Sequence, residues 1–334
     1  MQNHLEQLLA EASQVFILTD ENVAPLWLPE TECRLGCGRA VEIVLRPGEQ
    51  HKDLQSVQHV WNTLMLHHAD RNALLVNLGG GVITDLGGFA ASTFKRGIRF
   101  VNIPTTLLAM VDAAIGGKTG IDFGSGKNAI GTFAEAAEIV VNPAYLETLP
   151  ERQIRSGLAE MLKYGFIADP ELLTAGLGHY RPLISRCGDI KRDIVKNDPT
   201  EKGMRKMLNF GHTLGHALES HCLAAQNPLL HGEAVALGMG AALWLSEKRF
   251  GLDGQVLQTY VERLPMLLAE AGITLSETDV EPVLGRLVHD KKSLNGQPRF
   301  VLLEAVGKPV WDVEVPTEWV RQSLAYIINK VWPR

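Results

Sequence analysis

The sequence predicts two domains, a mostly parallel α/β domain over residues 1–150 followed by a mainly α-helical domain over residues 151–334. Three observations predict this. The 334 residues exceed the ~250–300 at which one hydrophobic core usually stops growing. Up to about residue 150, short β-rich runs alternate with helical patterns, the texture of a parallel sheet. After Pro150 these runs give way to long amphipathic stretches. Two domains imply a cleft, and the active site is expected there, built from residues of both halves.

In order along the first half, the strand candidates are Val15–Leu18, Val41–Leu45, Ala73–Leu78, Phe100–Ile103 and Glu138–Val141. Leu54–Leu66 carries apolar residues at three- and four-residue intervals and predicts a helix. In the second half Ile154–Phe166, Leu183–Val195, Met204–Leu223, Gly232–Lys248 and Gln255–Ala271 read as helices on the same criterion. Phe300–Glu304 reads as one late strand and Thr317–Lys330 as a closing helix. No internal repeat or low-complexity tract interrupts the pattern.

Composition narrows the function classes. With 46% apolar and 21% charged residues the chain is a folded protein rather than a disordered or fibrous one. A net charge of −6 with both signs interspersed offers no global basic field for nucleic acid or an anionic membrane, so any anion site is local. Met1–Ala10 lacks the basic start and apolar stretch of a secretion signal, and the apolar runs break short of the ~18 residues that span a bilayer. A cytoplasmic protein with no membrane partner is expected. Cys33, Cys37, Cys187 and Cys222 are too few and scattered for a disulfide framework and read as reduced structural thiols.

Three segments carry chemistry. Ala73–Leu78 runs into Gly79-Gly80-Gly81-Val82-Ile83-Thr84-Asp85, then Gly87-Gly88 and a helical pattern. Such a strand, turn and helix lets backbone N–H groups at the positive end of the helix approach a pyrophosphate. The spacing is not Gly-x-Gly-x-x-Gly, and a merely tight turn has the same look. Next, Pro104-Thr105-Thr106, Val111-Asp112 and Gly116-Gly117-Lys118-Thr119-Gly120 add hydroxyls, a carboxylate and a lysine, followed by Lys127-Asn128. Two lysines and an asparagine beside flexible backbone suit a substrate phosphate; a solvated loop is the alternative.

The third segment holds His212 and His216, which share one helical face at i, i+4 spacing, with His231 heading Gly232-Glu233 further on. Neutral imidazoles with a carboxylate from another helix, here Glu160, suit Zn²⁺ or a similar ion in a site with an open position. Spacing alone pairs His212 with His216, and ordinary hydrogen-bonded packing fits the same pattern. Read alone, Glu160 and Lys163 form an exposed ion pair on a helix, and Lys191 and Arg205 are solvent-facing charges.

Taken together, Gly79–Asp85, Pro104–Gly120, Lys127-Asn128, Glu160–Gly165, Arg205–His216, His231-Gly232-Glu233 and Asp290-Lys291-Lys292 resemble, in order and spacing, the 3-dehydroquinate synthase family of sugar phosphate cyclases. The likeness runs from about Asp20 to Lys308. It implies a Rossmann-like NAD-binding domain followed by a helical domain, in a homodimer. It implies a divalent metal, Zn²⁺ or Co²⁺, on Glu160, His212 and His231, which moves His216 from the ligand set to substrate contact and proton transfer. For NAD it implies Asp20, Glu49 and Lys52 on the adenosine side and Gly80, Gly81, Val82 and Asp85 at the pyrophosphate. Thr105, Thr106, Leu108, Lys127, Thr148 and Leu149 complete the cofactor set. For substrate it implies Asp112, Lys118, Asn128, Lys163, Lys191, Arg205, Asn209, His216 and Lys292, with Lys291 the alternative to Lys292. Arg96 is expected to reach the substrate phosphate of the neighbouring subunit. The sequence departs from the family pattern at Gln153, Met110 and Ala113, which is expected to retune nicotinamide binding without abolishing activity.

The activity implied is conversion of 3-deoxy-D-arabino-heptulosonate 7-phosphate to 3-dehydroquinate and phosphate. Its two anions call for two basic clusters, Lys118, Asn128 and Lys292 for the phosphate and Lys191, Arg205 and Asn209 for the carboxylate. Transient oxidation at C5 acidifies the C6 proton, phosphate leaves with that proton, the hydride returns, and the opened ring closes by an aldol step. Lys163 and His216 are the candidates for positioning and proton relay. The alternatives are another sugar phosphate cyclase, which would have no carboxylate to bind, a metal-dependent polyol or glycerol phosphate dehydrogenase, and a binding protein that keeps only the scaffold.

Overall fold

The computed structural model describes residues 2–36, 40–124, 126–174, 177–223, 228–287 and 298–332. The chain divides into two compact units, Met1–Leu149 and Pro150–Arg334.

The first unit runs α1 (Gln2–Glu11), β1 (Val15–Asp20), α2 (Ala24–Leu35), β2 (Val41–Leu45), α3 (Leu54–Leu66), β3 (Leu74–Gly79), α4 (Gly81–Thr93), β4 (Arg99–Pro104), β5 (Lys118–Phe123), β6 (Gly126–Phe133) and β7 (Glu138–Ile139). Five strands form one sheet in the order β2-β1-β3-β4-β7, with every pairing parallel. β3 is buried at every position, as a central parallel strand covered on both faces must be. Val57, Val60 and Leu64 of α3 and Ile83, Leu86 and Phe89 of α4 pack with Phe16, Leu18, Ile43 and Leu75 of the sheet. Asp53 starts α3 by accepting a hydrogen bond from the Ser56 N–H. The strand order reverses between β1 and β3, and in open α/β sheets ligands bind at the carboxyl ends of the strands at such a point. Asp20, Gly79 and Pro104 end β1, β3 and β4 at that edge.

Two features of this unit depart from the sequence expectation. The segment read as a glycine-rich loop contains an antiparallel hairpin, β5–β6. Its glycines are there for close strand approach, since a Cβ on Gly131 would lie 2.2 Å from the Thr119 carbonyl oxygen. The strand expected over Glu138–Val141 is reduced to Glu138–Ile139.

The second unit runs α5 (Glu151–Ile167), α6 (Glu171–Thr174), α7 (Ile184–Asn197), α8 (His212–Cys222), α9 (His231–Phe250), α10 (Gly254–Val261), α11 (Leu264–Leu267), α12 (Val280–Leu287), the hairpin β8 (Arg299–Ala305) and β9 (Lys308–Glu314), and α13 (Thr317–Val331). α9 is buried from Gly232 to Leu243 and packs against α5, α8, α13 and β8. The single helix expected over Met204–Leu223 is two: a 3₁₀ turn, Met204–Asn209, and α8, broken at Gly211 with φ 79°. The helix expected over Gln255–Ala271 is divided into α10 and α11, where Pro265 lacks the N–H to continue the ladder. β9 was not anticipated; Gly307, with φ 80°, turns the chain back onto β8.

Among the described residues no helix is long and apolar enough to cross a membrane. Cys33, Cys187 and Cys222 are free thiols, and Cys37 lies outside the described residues. Burial, with Asp279 nearby, pushes the Cys222 thiol up to about 11, which leaves it inert near neutral pH.

Candidate metal centre and cofactor edge

α5 supplies Glu160, wholly buried, and α8 and α9 each begin with a histidine, His212 and His231. The Nε2 atoms of both histidines lie 3.4 Å from Glu160 Oε1, and one ligand atom from each of the three residues falls within 4.8 Å of the others. A tetrahedral ion with bonds of about 2.0–2.1 Å sets neighbouring ligand atoms roughly 3.4 Å apart. Two imidazole nitrogens and a carboxylate at that spacing therefore fit a divalent ion of the zinc class, with a position left for another ligand. The converging groups are Glu160, His212 and His231, which corrects the pairing of His212 with His216 that spacing alone suggests. His216, one turn beyond His212 on α8, places its ring 5.3 Å from that of His212 and 5.8 Å from that of His231.

Both histidine rings are contacted from their far side. His212 Nδ1 lies 3.1 Å from the Phe210 carbonyl oxygen, and His231 Nδ1 lies 3.2 Å from Glu219 Oε2. With Nδ1–H donating, Nε2 carries the lone pair and faces Glu160. Burial disfavours the charged form of His231, yet Glu219 and Glu160 outweigh it, so without metal the imidazole is pushed up to about 10.

Backbone contacts set the spacing. A Cβ on Gly238 of α9 would lie 2.0 Å from the Gly211 carbonyl oxygen, so α8 and α9 meet main chain to main chain. A Cβ on Gly232 would lie 1.9 Å from the Ser156 carbonyl oxygen, and the Gly232 N–H donates to Ser156 Oγ at 3.0 Å, which seats the first turn of α9 on α5. Glu233 accepts from the Leu230 N–H at 2.8 Å and takes Nε and Nη2 of Arg152 at 2.7 and 2.8 Å. Its carboxylate thus fixes the start of the helix that carries His231. Arg152 and Glu219 were not singled out in the sequence.

Lys163 is buried on α5 with Nζ 2.5 Å from Glu160 Oε2, so the exposed ion pair suggested by spacing is a buried one. Lys191 of α7 and Arg205 are buried as well, against the reading of solvent-facing charges. Arg205 Nη1 donates to the Pro199 carbonyl oxygen at 2.6 Å. Asn209 donates through Nδ2 to Glu201 Oε1 at 2.5 Å, and Glu201, another residue sequence reasoning missed, holds a left-handed φ of 58°. Its strained backbone is invisible in the sequence. Lys291 and Lys292 lie outside the described residues.

In the first unit Gly80 caps α4, with Gly81 and Val82 in its first turn. A Cβ on Gly80 would lie 2.9 Å from Thr106 Cγ2, and one on Gly81 would lie 3.1 Å from Ala113 Cβ, so the departure at Ala113 sits against the glycine turn. Thr105 donates its N–H to the Gly79 carbonyl oxygen at 2.9 Å, and Thr106 Oγ1 accepts from the Ala109 N–H at 3.2 Å. Leu108 precedes a π-turn, Ala109–Ala113, that contains buried Met110 and half-buried Asp112. Asp20 accepts from the N–H groups of Asn22 and Val23 at 2.9 and 3.1 Å, and burial pushes its carboxyl up. Thr148 Oγ1 accepts from Trp27 Nε1 at 2.8 Å, next to half-buried Leu149.

Lys52 ties Asp85 to Asn128. Its buried Nζ donates to Asp85 Oδ2 at 2.6 Å and Asn128 Oδ1 at 2.7 Å, and Lys127 Nζ lies 3.1 Å from Glu49 Oε1. Burial pushes the Lys52 ammonium down, but Asp85 and Glu49 push it up by more, so it stays charged. Asp122 Oδ1 accepts the Asn128 N–H at 2.6 Å and stabilises the left-handed backbone there, with φ 47°. Asn128, expected at the substrate, is thereby tied to Lys52 and Asp85, expected at the cofactor. Lys118 is exposed at the start of β5, and Arg96 is exposed in a left-handed turn with φ 69°.

Comparison with known proteins gives the family of the chain. The family model described as 3-dehydroquinate synthase N-terminal matches residues 42–156, and that described as 3-dehydroquinate synthase C-terminal matches residues 157–293. The 3-dehydroquinate synthase of Psychrobacter cryohalolentis is 42% identical over 310 residues, covering 89% of this chain and 83% of its own. A crystal structure of 2-deoxy-scyllo-inosose synthase complexed with carbaglucose-6-phosphate, NAD⁺ and Co²⁺ aligns at a TM-score of 0.82 and 25% identity, covering 96% of this chain and 94% of that one. A 2-epi-5-epi-valiolone synthase from Streptomyces hygroscopicus, with NAD⁺ and Zn²⁺ bound, aligns at 0.82 and 27% with the same coverage. The chain belongs to the 3-dehydroquinate synthase family.

Proposed function

We propose that this chain is a carbon–oxygen lyase that converts 3-deoxy-D-arabino-heptulosonate 7-phosphate to 3-dehydroquinate and phosphate. The observation that carries the reading is the convergence of Glu160, His212 and His231 at ligand spacing in a chain of this family. Unit Met1–Leu149 is the proposed NAD-binding half and unit Pro150–Arg334 the metal- and substrate-binding half. A divalent ion on Glu160, His212 and His231 would supply Lewis acidity at the substrate hydroxyls, and NAD on the glycine turn would supply a reversible hydride acceptor.

The chain's own residues do the rest. Gly80, Gly81 and Val82 present the N-terminal backbone of α4 to the pyrophosphate. Lys191 and Arg205, two cations withdrawn from water, hold the substrate carboxylate with Asn209. Lys118, Asn128 and Lys292 hold the phosphate, and Asp112 contributes to the same substrate shell. Lys163 and His216, which flank the ligand residues, position the hydroxyl to be oxidised and pass on its proton. The C6 proton leaves with the phosphate, so elimination needs no separate base from the chain. The reading places the protein in the cytoplasm as a homodimer in which Arg96 serves the neighbouring subunit's substrate, with no nucleic-acid or membrane partner.

The test is phosphate release from purified, metal-loaded protein given the heptulosonate phosphate, with and without NAD and a chelator, while NADH absorbance is followed. Release that needs metal and catalytic NAD, with no accumulation of NADH, is expected. No release with this substrate, but release with a sugar phosphate that lacks the carboxylate, would overturn the substrate assignment. Steady NADH production from a polyol without phosphate release would overturn the reaction class.

A further inference from the structure

We infer that Glu219 is a positioning residue of the metal site, holding the His231 ring so that its Nε2 faces the ion; this rests on the metal reading above. Glu219 is buried on α8, and its Oε2 lies 3.2 Å from His231 Nδ1. The opposite ring nitrogen, Nε2, lies 3.4 Å from Glu160 Oε1. The imidazole is therefore gripped at both ends, and rotation about its Cβ–Cγ bond would lose both contacts.

His212 and Glu219 stand seven residues apart on α8, two turns along one face, and α9 packs on that helix. One helix thus supplies a ligand and orients the ligand of its neighbour. The two ligand histidines are oriented by different groups, a neutral carbonyl for His212 and a carboxylate for His231. An acceptor that carries charge strengthens the Nδ1–H bond and makes Nε2 the better donor to metal. The nearby buried Glu233 has a different job, since its carboxylate caps α9 and pairs with Arg152.

The experiment measures Zn²⁺ dissociation constants of the full chain by competition with a chromophoric chelator, together with the visible spectrum of the Co²⁺ form and the melting temperature of the metal-free protein. Glu219→Ala should weaken Zn²⁺ binding about 10- to 100-fold and shift the Co²⁺ bands. Glu219→Gln should fall between it and the unaltered protein, because an amide oxygen still accepts Nδ1–H but brings no charge. Ser246→Ala is the structural control. It removes a buried hydroxyl that donates to the Ala242 carbonyl oxygen and accepts from the Leu303 N–H, so it should lower the melting temperature and leave metal affinity and Co²⁺ bands unchanged. Metal binding and spectra unaltered in Glu219→Ala, or in Glu219→Gln should the alanine variant not fold, would overturn the inference. Failure of the unaltered protein to take up either metal would instead overturn the metal reading, and the inference with it.

Discussion

Replacing Gly238 by alanine tests whether main-chain contact between α8 and α9 sets the ligand spacing. The added Cβ would lie 2.0 Å from the Gly211 carbonyl oxygen, 2.8 Å from the Gly215 nitrogen and 3.0 Å from the Gly211 carbonyl carbon. All three are backbone atoms, so no side chain can swing aside. Ordinary contact begins near 3.4 Å, so the start of α8 must retreat by roughly 1.4 Å or α9 must bend. Overpacking of this kind costs about 1–3 kcal/mol, and rigid backbone neighbours place it at the upper end. Alanine returns about 1 kcal/mol through its better helix propensity. The net loss of about 2 kcal/mol corresponds to a fall in melting temperature of about 4–8 °C for a cooperative unit of this size. His212 adjoins Gly211, and metal–ligand distances tolerate only about ±0.2 Å, so Zn²⁺ affinity should drop at least about tenfold. Calorimetry of the metal-free protein and chelator competition measure the two effects. Gly285→Ala in α12, where an added Cβ meets nothing within 4 Å, should instead stabilise by about 0.5–1 kcal/mol. A Gly238→Ala protein that melts as the unaltered one does and holds Zn²⁺ as tightly would refute the argument.

Three further outcomes are expected. His212→Ala should lose the metal, whereas His216→Ala should keep it and lose most turnover; equal metal content in the two variants, by elemental analysis, would sink the division of roles. His231 is raised from 6.5 to about 10 in the metal-free protein, so its proton stabilises the folded state fully below about pH 6.5, and that contribution is lost as pH rises through about 10. Metal must displace this proton, so affinity should climb about tenfold per pH unit between pH 7 and 9 from this residue alone, and a flat profile in competition titrations would contradict it. Lys52→Met removes the buried cation that pairs with Asp85 and should cost about 3 kcal/mol in urea unfolding, the low end for a broken buried pair because Asp85 is partly exposed; a loss below about 1 kcal/mol would show that the pair is not effectively buried.

Where the chain follows one period without interruption, the sequence reading and the structure coincide. β2 over Val41–Leu45 and α3 over Leu54–Leu66 agree to the residue, because an alternating or 3.6-residue pattern ends at a clear turn or cap in each. The reading failed where a tertiary contact overrides local pattern. Met204–Leu223 looks like one helix, yet it breaks at Gly211, where a left-handed φ of 79° and the close approach of Met239, whose Cγ would lie 2.5 Å from a Cβ, both require glycine. The β5–β6 hairpin hides its strand character behind glycines that serve close approach. At the site, i, i+4 spacing favoured His216 over His231, since periodicity reports one helix and a ligand set spans several. One missed signal was present: Glu160 and Lys163 interrupt an otherwise apolar run from Leu158 to Ile167, and such a helix face is buried rather than solvated.

The residues that make the centre exact in geometry were the least visible, for a physical reason. Arg152 meets Glu233 across 81 residues and Ser156 meets Gly232 across 76, so neither pair leaves a local pattern. Their necessity follows from where the ligands sit. His212 and His231 are the first residues of α8 and α9, so both stand at helix ends that carry partial positive charge, about half a unit each. A cation there meets an unfavourable field unless buried carboxylates offset it, and Glu160, Glu219 and Glu233 are all buried around these two helix starts. Glu160 faces both ring nitrogens, Glu219 backs one ring, and Glu233 ties down the turn beneath it.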